Sequence, residues 1–182
     1  MATLVALVLI ATPAAEARAG GADDDARILL RAISFDRALA ARAGADVVIT
    51  IVYDGRVSGD ERDRDGRVQA FRKLASRTIA GLPIKVNWSD CSQSRSLGDA
   101  LQGTDIVYLT RGAKDCVRAV TAATRKLRIA SLASSRALVE QGVTLGVTME
   151  GSRPKLLVNL VASKAEGLDL ASQMLQLAEV IK

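Results

Sequence analysis

Apolar residues recur at helical spacing near the start of this chain. The acidic run at 23–25 precedes the pattern, and carboxylates there favour a helix N-terminus through capping and the macrodipole. Gly44 follows as a helix C-terminal stop signal. We therefore predict a first helix that extends to Leu39. Its inner face consists of four apolar residues: Ile28, Ala32, Phe35 and Leu39.

Runs of β-branched and aliphatic residues then predict strands that are buried on both faces. The first is Val47–Tyr53, and a loop rich in glycine and charge is predicted at 54–66. Val68, Phe71 and Leu74 mark an amphipathic helix after that loop. Strands and helices alternate from here, which is typical of a parallel sheet with helical crossovers. The remaining predicted strands are 84–88, 106–110 and 129–133, and the helices are 96–101, 117–127 and 136–140.

The pattern changes after Gly142 to strict alternation of apolar and polar residues. Residues 143–149 alternate, a Glu-Gly-Ser turn follows at 150–152, and Leu156, Val158 and Leu160 then stand at every second position. Two alternating runs around a short turn predict an antiparallel β-hairpin. We therefore predict an α/β fold with a mainly parallel sheet and flanking helices, which ends in this hairpin and in C-terminal helices.

Two helices are predicted after the hairpin. The first covers 161–166 and ends at Gly167. The second covers 170–181, with Asp169 as its N-cap.

Length and composition indicate one domain. The chain has 182 residues, of which 49% are hydrophobic, enough for one substantial core and too few for two. We place this single α/β domain at 23–182. Aromatic residues make up only 3% of the chain, so the core must consist mainly of Val, Leu, Ile and Ala.

Residues 1–19 have the features of a signal peptide. An apolar run at 4–11 ends near Pro13 and is followed by small residues that offer A-x-A cleavage sites. A membrane-spanning helix needs about 20 apolar residues, so we expect an exported, periplasmic protein and not an integral membrane protein. The net charge of +5 comes from scattered basic residues, and few aromatics are present to stack bases. We therefore expect no nucleic-acid binding.

Cys91 and Cys116 are the two cysteines of the chain. If the second and third predicted strands are parallel neighbours, about 4.8 Å apart, both cysteines lie at one edge of the sheet within reach of a disulfide. An oxidising compartment permits the bond. The alternative is two unpaired, buried cysteines.

Catalytic and metal-binding patterns are scarce. The chain has no histidine, which excludes Ser-His-Asp and Cys-His catalysis and histidine-containing zinc sites. The acidic cluster 60–66 has some features of a calcium loop, but its spacing is wrong and its last ligand position lacks glutamate. We expect no enzyme activity, no metal and no cofactor.

Candidate contact residues lie at the predicted strand ends. Ser134, with Ser131 and Ser135, is placed to present a hydroxyl at the sheet edge where open α/β sheets bind ligands. Ser134 is equally suited to be the N-cap of helix 136–140, and we prefer that interpretation. Arg111, Arg153 and Lys155 are further candidates for contact with a partner or ligand. Asn159, near the end of a buried strand, needs hydrogen-bond partners and is better interpreted as a structural clasp.

The C-terminal segment carries the most specific motif. It contains Leu156-Leu157-Val158-Asn159-Leu160, then Gly167-Leu168, then Ser172, Met174-Leu175 and Leu177-Ala178. This string resembles the C-terminal signature of the YfiR family, small periplasmic proteins of bacteria. In that family a strand ending Ile-Asn-Leu precedes Gly-Leu and a Ser-x-Leu-Leu-x-Leu-Ala helix. Asn159, Gly167, Leu168 and Ser172 match this signature, and the resemblance extends over about 28–181.

The resemblance implies a function that the residues alone do not. Members of this kind bind the periplasmic domain of an inner-membrane signalling protein, typically a diguanylate cyclase of cyclic di-GMP signalling, and hold its output low. A homodimer is also expected from the resemblance. The alternative is a periplasmic module that binds a small ligand at the C-terminal edge of its sheet.

Overall fold

The computed structural model describes residues 21–94 and 96–181, so the predicted signal peptide at 1–19 lies outside the described residues. Within these ranges one sheet has seven strands in the order β2-β1-β3-β4-β5-β6-β7. The strands are β1 Val47–Tyr53, β2 Ile84–Asp90, β3 Ile106–Leu109, β4 Ala130–Ala133, β5 Leu145–Glu150, β6 Arg153–Asn159 and β7 Glu179–Ile181. The helices are α1 Ala22–Ile33, α2 Leu39–Arg42, α3 Asp60–Lys73, α4 Leu97–Ala100, α5 Val117–Leu127, α6 Arg136–Glu140, α7 Leu160–Ala165 and α8 Ser172–Leu177.

The predicted fold class is confirmed. Strands β1 to β5 are parallel, and β6 returns antiparallel to β5 through the predicted hairpin. Helices α1 and α3 cover one face of the sheet, and α4 and α5 cover the other. Each face has its own aliphatic core, which is the arrangement expected of strands that are apolar on both sides.

The first helix is shorter than predicted. It ends at Ile33, and Leu39 begins the separate helix α2. The reason is Asp36, a buried carboxylate that accepts hydrogen bonds from the backbone N–H groups of Ala38 and Asp169, 3.1 and 2.8 Å away. A short acidic side chain that binds nearby N–H groups favours a turn over a continuous helix.

The loop predicted at 54–66 was wrong from Asp60 onward, because α3 begins there. Three acidic residues lie in the first turn of α3: Asp60, Glu61 and Asp63. Negative charge at a helix N-terminus is stabilising. The same acidic residues that suggested a solvated loop therefore form the first turn of a helix. The acidic cluster 60–66 therefore lies in a helix and does not form a calcium-binding loop.

The last predicted helix was wrong at both ends. Its N-cap is Ala171, not Asp169, and its helical part stops at Leu177. Residues Glu179–Ile181 instead form β7, which pairs in parallel with β6. This pairing gives hydrogen-bond partners to an edge of β6 that would otherwise be open, and β-branched Val180 and Ile181 suit a strand.

The residues that match the family signature hold the C-terminal segment in place. Asn159 caps α7: its Oδ1 accepts the N–H of Ala162 at 2.9 Å, and its Nδ2 donates to the carbonyl of Val139 at 3.0 Å. Gly167 has a φ of +77°, in the left-handed region that favours glycine. Leu168 is buried in the core, and Ser172 is the exposed first residue of α8.

Glu166 is a buried anchor that the sequence pattern does not reveal. Its carboxylate accepts hydrogen bonds from the hydroxyls of Thr124, Ser131 and Thr144 at 2.7, 2.6 and 2.5 Å. It also accepts the backbone N–H of Ser131 at 2.9 Å. Burial raises the pKa of Glu166, while these hydrogen bonds act in the opposite direction. The network ties α5, β4 and the start of β5 to the end of α7.

Candidate functional site

The carboxyl ends of β1 and β3 form the topological switch point of the sheet. The chain passes from β1 to β2 on one side and then crosses to β3 on the other. Open α/β sheets bind ligands in the crevice that such a reversal creates. This is the place where a small-ligand site is expected.

In this chain the crevice is closed by Asp60. The Oδ2 atom of Asp60 accepts the backbone N–H of Asp54 at 2.8 Å and the hydroxyl of Thr110 at 2.7 Å. Its Oδ1 atom accepts the backbone N–H of Gly112 at 3.1 Å. A Cβ atom on Gly112 would overlap the Asp60 carboxylate, so glycine is what allows the close approach. A carboxylate of the protein thus occupies the position where a bound anion would accept hydrogen bonds.

A disulfide between Cys91 and Cys116 covers the same edge. Cys91 directly follows β2, and Cys116 ends a 3₁₀ helix, Gly112–Cys116, that follows β3. The condition that β2 and β3 be neighbours is not met, because β1 lies between them. The bridge still forms because the 3₁₀ helix carries Cys116 back across the end of β1, leaving a Cα–Cα distance of 6.3 Å.

Asp54 lies beneath the disulfide and is 1% exposed. Arg56 binds its carboxylate with two nitrogens, at 2.9 and 2.7 Å. This ion pair and its hydrogen bonds hold the pKa of Asp54 below its usual range, against the opposing effect of burial. The Asp54 carboxylate and the two sulfur atoms lie within 4.8 Å of one another. Because both sulfurs are in the disulfide, they do not offer thiolate ligands to a metal.

Ser134 and Arg111 are brought together at the ends of β4 and β3. The Arg111 guanidinium donates to the carbonyl of Ser134 at 3.3 Å. The preferred interpretation of Ser134 as an N-cap was wrong, because Ser135 occupies the N-cap position of α6. The Ser134 hydroxyl is buried instead and accepts the phenolic O–H of Tyr108 at 2.9 Å.

That hydroxyl belongs to a buried polar network beneath α1 and α3. Arg67 is 5% exposed and pairs with Asp25 at 2.7 Å and with Asp63 at 3.1 Å. Its guanidinium also lies 5.2 Å from the centre of the Tyr108 ring. Burial raises the pKa of Tyr108. Arg67, Asp25, Tyr108 and Ser134 are buried, and Asp63 is partly exposed. The contacts among these side chains link α1 and α3 to the sheet.

Arg153 and Lys155 lie apart from this group, on β6. Lys155 is paired with Glu150 at 3.1 Å and with Glu179 at 3.0 Å. Arg136 holds the same Glu179 through two nitrogens, at 2.8 and 2.9 Å. These bonds lower the pKa of Glu179 to about 2. Lys155 is therefore ion-paired within the chain, whereas Arg153 is exposed beside the hairpin turn.

The most distinctive exposed feature is Trp88, which sequence reasoning did not single out. Trp88 is the only tryptophan in the chain and is 52% exposed on β2. β2 pairs only with β1 within the described residues, so it forms an edge of the sheet. The Arg72 guanidinium stacks over the Trp88 ring, 5.6 Å from its centre. We call this region the Trp88 surface: a groove of about 810 Å³ lined by Arg62, Asp65, Gly66, Val68, Gln69, Arg72, Lys73 and Trp88.

A membrane crossing is not seen in the part of the chain that the structure describes. None of its helices combines the length and the apolar character that a crossing requires.

Several solved structures are similar in fold at low sequence identity. The ABC domain in complex with L-Trp from Streptococcus pneumonia has a TM-score of 0.61 at 13% identity, over 88% of this chain and 60% of that one. CD0873, a substrate binding protein with adhesive properties from Clostridium difficile, has a TM-score of 0.59 at 14% identity, over 80% and 57%. A conserved domain protein from Vibrio cholerae has a TM-score of 0.58 at 12% identity, over 74% and 54%.

These likenesses concern the fold alone, and this chain spans at most 60% of the length of each of the three. No curated protein matches the sequence. The family model described as YfiR/HmsC-like, by contrast, matches residues 25–179. The chain therefore belongs to the YfiR/HmsC-like family.

Proposed function

We propose that this protein is a periplasmic regulator that binds the periplasmic domain of an inner-membrane signalling protein and holds its output low. The partner is a diguanylate cyclase or a sensor kinase. Membership of the YfiR/HmsC-like family supports a periplasmic regulatory role. The signal-peptide pattern at 1–19 supports export.

The observation that carries the proposal is the Trp88 surface. Tryptophan and arginine are the residue types most enriched among interface hot spots. Here both occur together, in a chain that has only one tryptophan and places it half exposed at a sheet edge. An exposed indole ring stacked under a guanidinium offers an apolar anchor with a charged border. This is the kind of contact on which protein partners rely.

Charge indicates which partner surface fits. The Trp88 surface carries the cationic side chains of Arg62, Arg72 and Lys73, against a single acidic residue, Asp65. Lys73 is paired with Asp23, and Asp65 with Arg64, so the net excess comes from the two arginines. A complementary partner therefore presents acidic residues around an apolar pocket that accepts the indole ring.

The small-ligand alternative has less support. The crevice at the switch point is filled by Asp60 and covered by the Cys91–Cys116 bridge. Similar folds include the ABC domain that was solved in complex with L-Trp. That bound molecule belongs to a chain of which this protein spans only part, so it does not locate a site here.

An affinity capture experiment tests the proposal. The mature protein, immobilised, is incubated with detergent-solubilised membranes of its source bacterium, and the retained proteins are identified. We expect a membrane protein with a periplasmic sensor domain and a cyclase or kinase output. Trp88→Ala should weaken this capture by about thirtyfold, which corresponds to a hot spot of about 2 kcal/mol.

Leu177→Ala is the matched control. Leu177 is 78% exposed and lies beside β7, at the opposite edge of the sheet from β2. Its replacement removes an apolar side chain that is even more exposed than Trp88 and should leave capture unchanged. The proposal is contradicted by capture of no signalling protein, and the assigned surface is contradicted by equal capture with Trp88→Ala and with the wild type.

A further inference from the structure

A second cavity lies at the other end of β2 from the Trp88 surface. It has a volume of about 350 Å³ and is formed by α1, the segment that follows α3, and the first residue of β2. The volume lies within the range of small-molecule pockets, about 300–1,000 Å³. Its apolar lining consists of Ile28, Leu30, Leu74, Ile79 and Ile84.

Three arginines surround this apolar lining: Arg27, Arg31 and Arg77. Arg27 is paired with Asp24 at 2.6 Å. Within the part of the chain that the structure describes, neither Arg31 nor Arg77 has a hydrogen-bonded or ion-paired carboxylate. Both are exposed. Two cationic side chains at one cavity, with no counter-charge of their own, favour the binding of an anion.

The guanidinium group narrows the chemistry of that anion. Its planar fork of N–H donors matches two oxygens of a carboxylate or of a phosphate through two parallel hydrogen bonds. The aliphatic lining behind the arginines gains free energy when it contacts a hydrocarbon, in proportion to the apolar area removed from water. An anion without an apolar body leaves that area in contact with water.

We infer that this cavity binds a small amphipathic anion, whose hydrocarbon body packs against the aliphatic lining and whose carboxylate or phosphate group is held by Arg31 and Arg77. The site is separate from the filled crevice at the switch point. It also goes beyond the proposed contact with a signalling protein, because it gives the protein a small-molecule effector. The cavity is bounded by α1 and the start of β2, the same edge strand that carries Trp88.

Isothermal titration with decanoate, below its micelle concentration, tests this inference. We expect saturable binding with one site per chain. Decan-1-ol has the hydrocarbon chain without the negative charge, and acetate has the carboxylate without the long chain. Both should bind at least about tenfold more weakly than decanoate. Replacing both arginines, as Arg31→Gln with Arg77→Gln, should weaken decanoate binding by about tenfold or more, the equivalent of one charge-assisted contact.

Arg118→Gln is the matched control, because Arg118 is an exposed arginine on α5, on the opposite face of the sheet. It should bind decanoate as the wild type does. The inference is overturned if decanoate does not bind, if decan-1-ol binds equally well, or if the double variant matches Arg118→Gln. The result is independent of the proposed function, because capture of the signalling protein is measured without decanoate and depends on Trp88.

Discussion

Replacing Asp60 by asparagine changes the group that closes the sheet edge while keeping its size. Asparagine has one acceptor oxygen where aspartate has two, and its amide nitrogen is a donor. If the remaining oxygen keeps the bonds to Asp54 and Thr110, the amide faces the backbone N–H of Gly112, which then loses its acceptor. We therefore expect Asp60→Asn to destabilise the fold by leaving the partly buried N–H of Gly112 without a partner.

The magnitude follows from these contacts. An unsatisfied buried donor costs about 1–3 kcal/mol, and hydrogen bonds to a charged acceptor are about twice as strong as neutral ones. Loss of the Gly112 bond and weakening of the other two should lower the free energy of unfolding by about 2–4 kcal/mol. With a urea m-value of about 2 kcal/mol/M, the midpoint should fall by about 1–2 M.

Urea unfolding followed by far-ultraviolet circular dichroism, with the disulfide intact, measures this change. Glu61→Gln is the matched control, since Glu61 is exposed and lies beside Asp60 in the first turn of α3. Both substitutions lose the favourable interaction with the helix dipole, about 0.3–1 kcal/mol, so their difference isolates the buried contacts. Equal midpoints for the two variants would refute the claim that Asp60 closes the edge.

Three further predictions concern other contacts. A thiol titration of the denatured, unreduced protein should find no free thiol, and two free thiols would contradict the disulfide. Reduction of Cys91–Cys116, which closes a loop of 25 residues, should lower the free energy of unfolding by about 3 kcal/mol. Glu166→Gln should lower the free energy of unfolding by about 3 kcal/mol, because the carboxylate accepts hydrogen bonds from four donors and the glutamine side chain has only one acceptor oxygen. A decrease below about 0.5 kcal/mol would contradict the buried network. In an NMR titration the Glu179 carboxyl should have a pKa near 2, so its ion pairs with Arg136 and Lys155 persist through the ordinary glutamate range and are lost only as the pH falls towards 2. Arg136→Gln should raise this pKa, and a wild-type pKa near 4.5 would contradict the pairing.

The clearest parts of the sheet could be predicted because an apolar run or an alternating pattern marks their strands. Val47–Tyr53 and the hairpin alternation after residue 142 leave little choice of structure. The errors occurred where charge or tertiary pairing decides. The acidic run from Asp60 fits a solvated loop and a helix N-terminus equally well, and only its buried partners distinguish them. Residues 179–181 continue an apolar helical pattern, and only the open edge of β6 makes them a strand.

The site was harder to predict than the fold. Asp60 and Glu166 are ordinary acidic residues in the sequence, and their importance comes from hydroxyls and N–H groups contributed by distant segments. The cysteine pair was expected for a partly wrong reason, since the two strands are not neighbours. The sequence did contain a signal for the exposure of Trp88. It is the single tryptophan of the chain, and it ends a predicted strand just before the polar residues Ser89 and Asp90.

The Trp88 surface is proposed to contact a membrane signalling protein in the periplasm. Site-specific photo-crosslinking in cells tests it most directly, with p-benzoylphenylalanine placed at Gln69, an exposed residue of that surface, or at Leu177 at the far edge of the sheet. We predict an adduct from position 69, and not from position 177, with an inner-membrane protein that has a periplasmic sensor domain and a cyclase or kinase output. An adduct with such a protein from position 177 alone, or from neither position, would contradict the account.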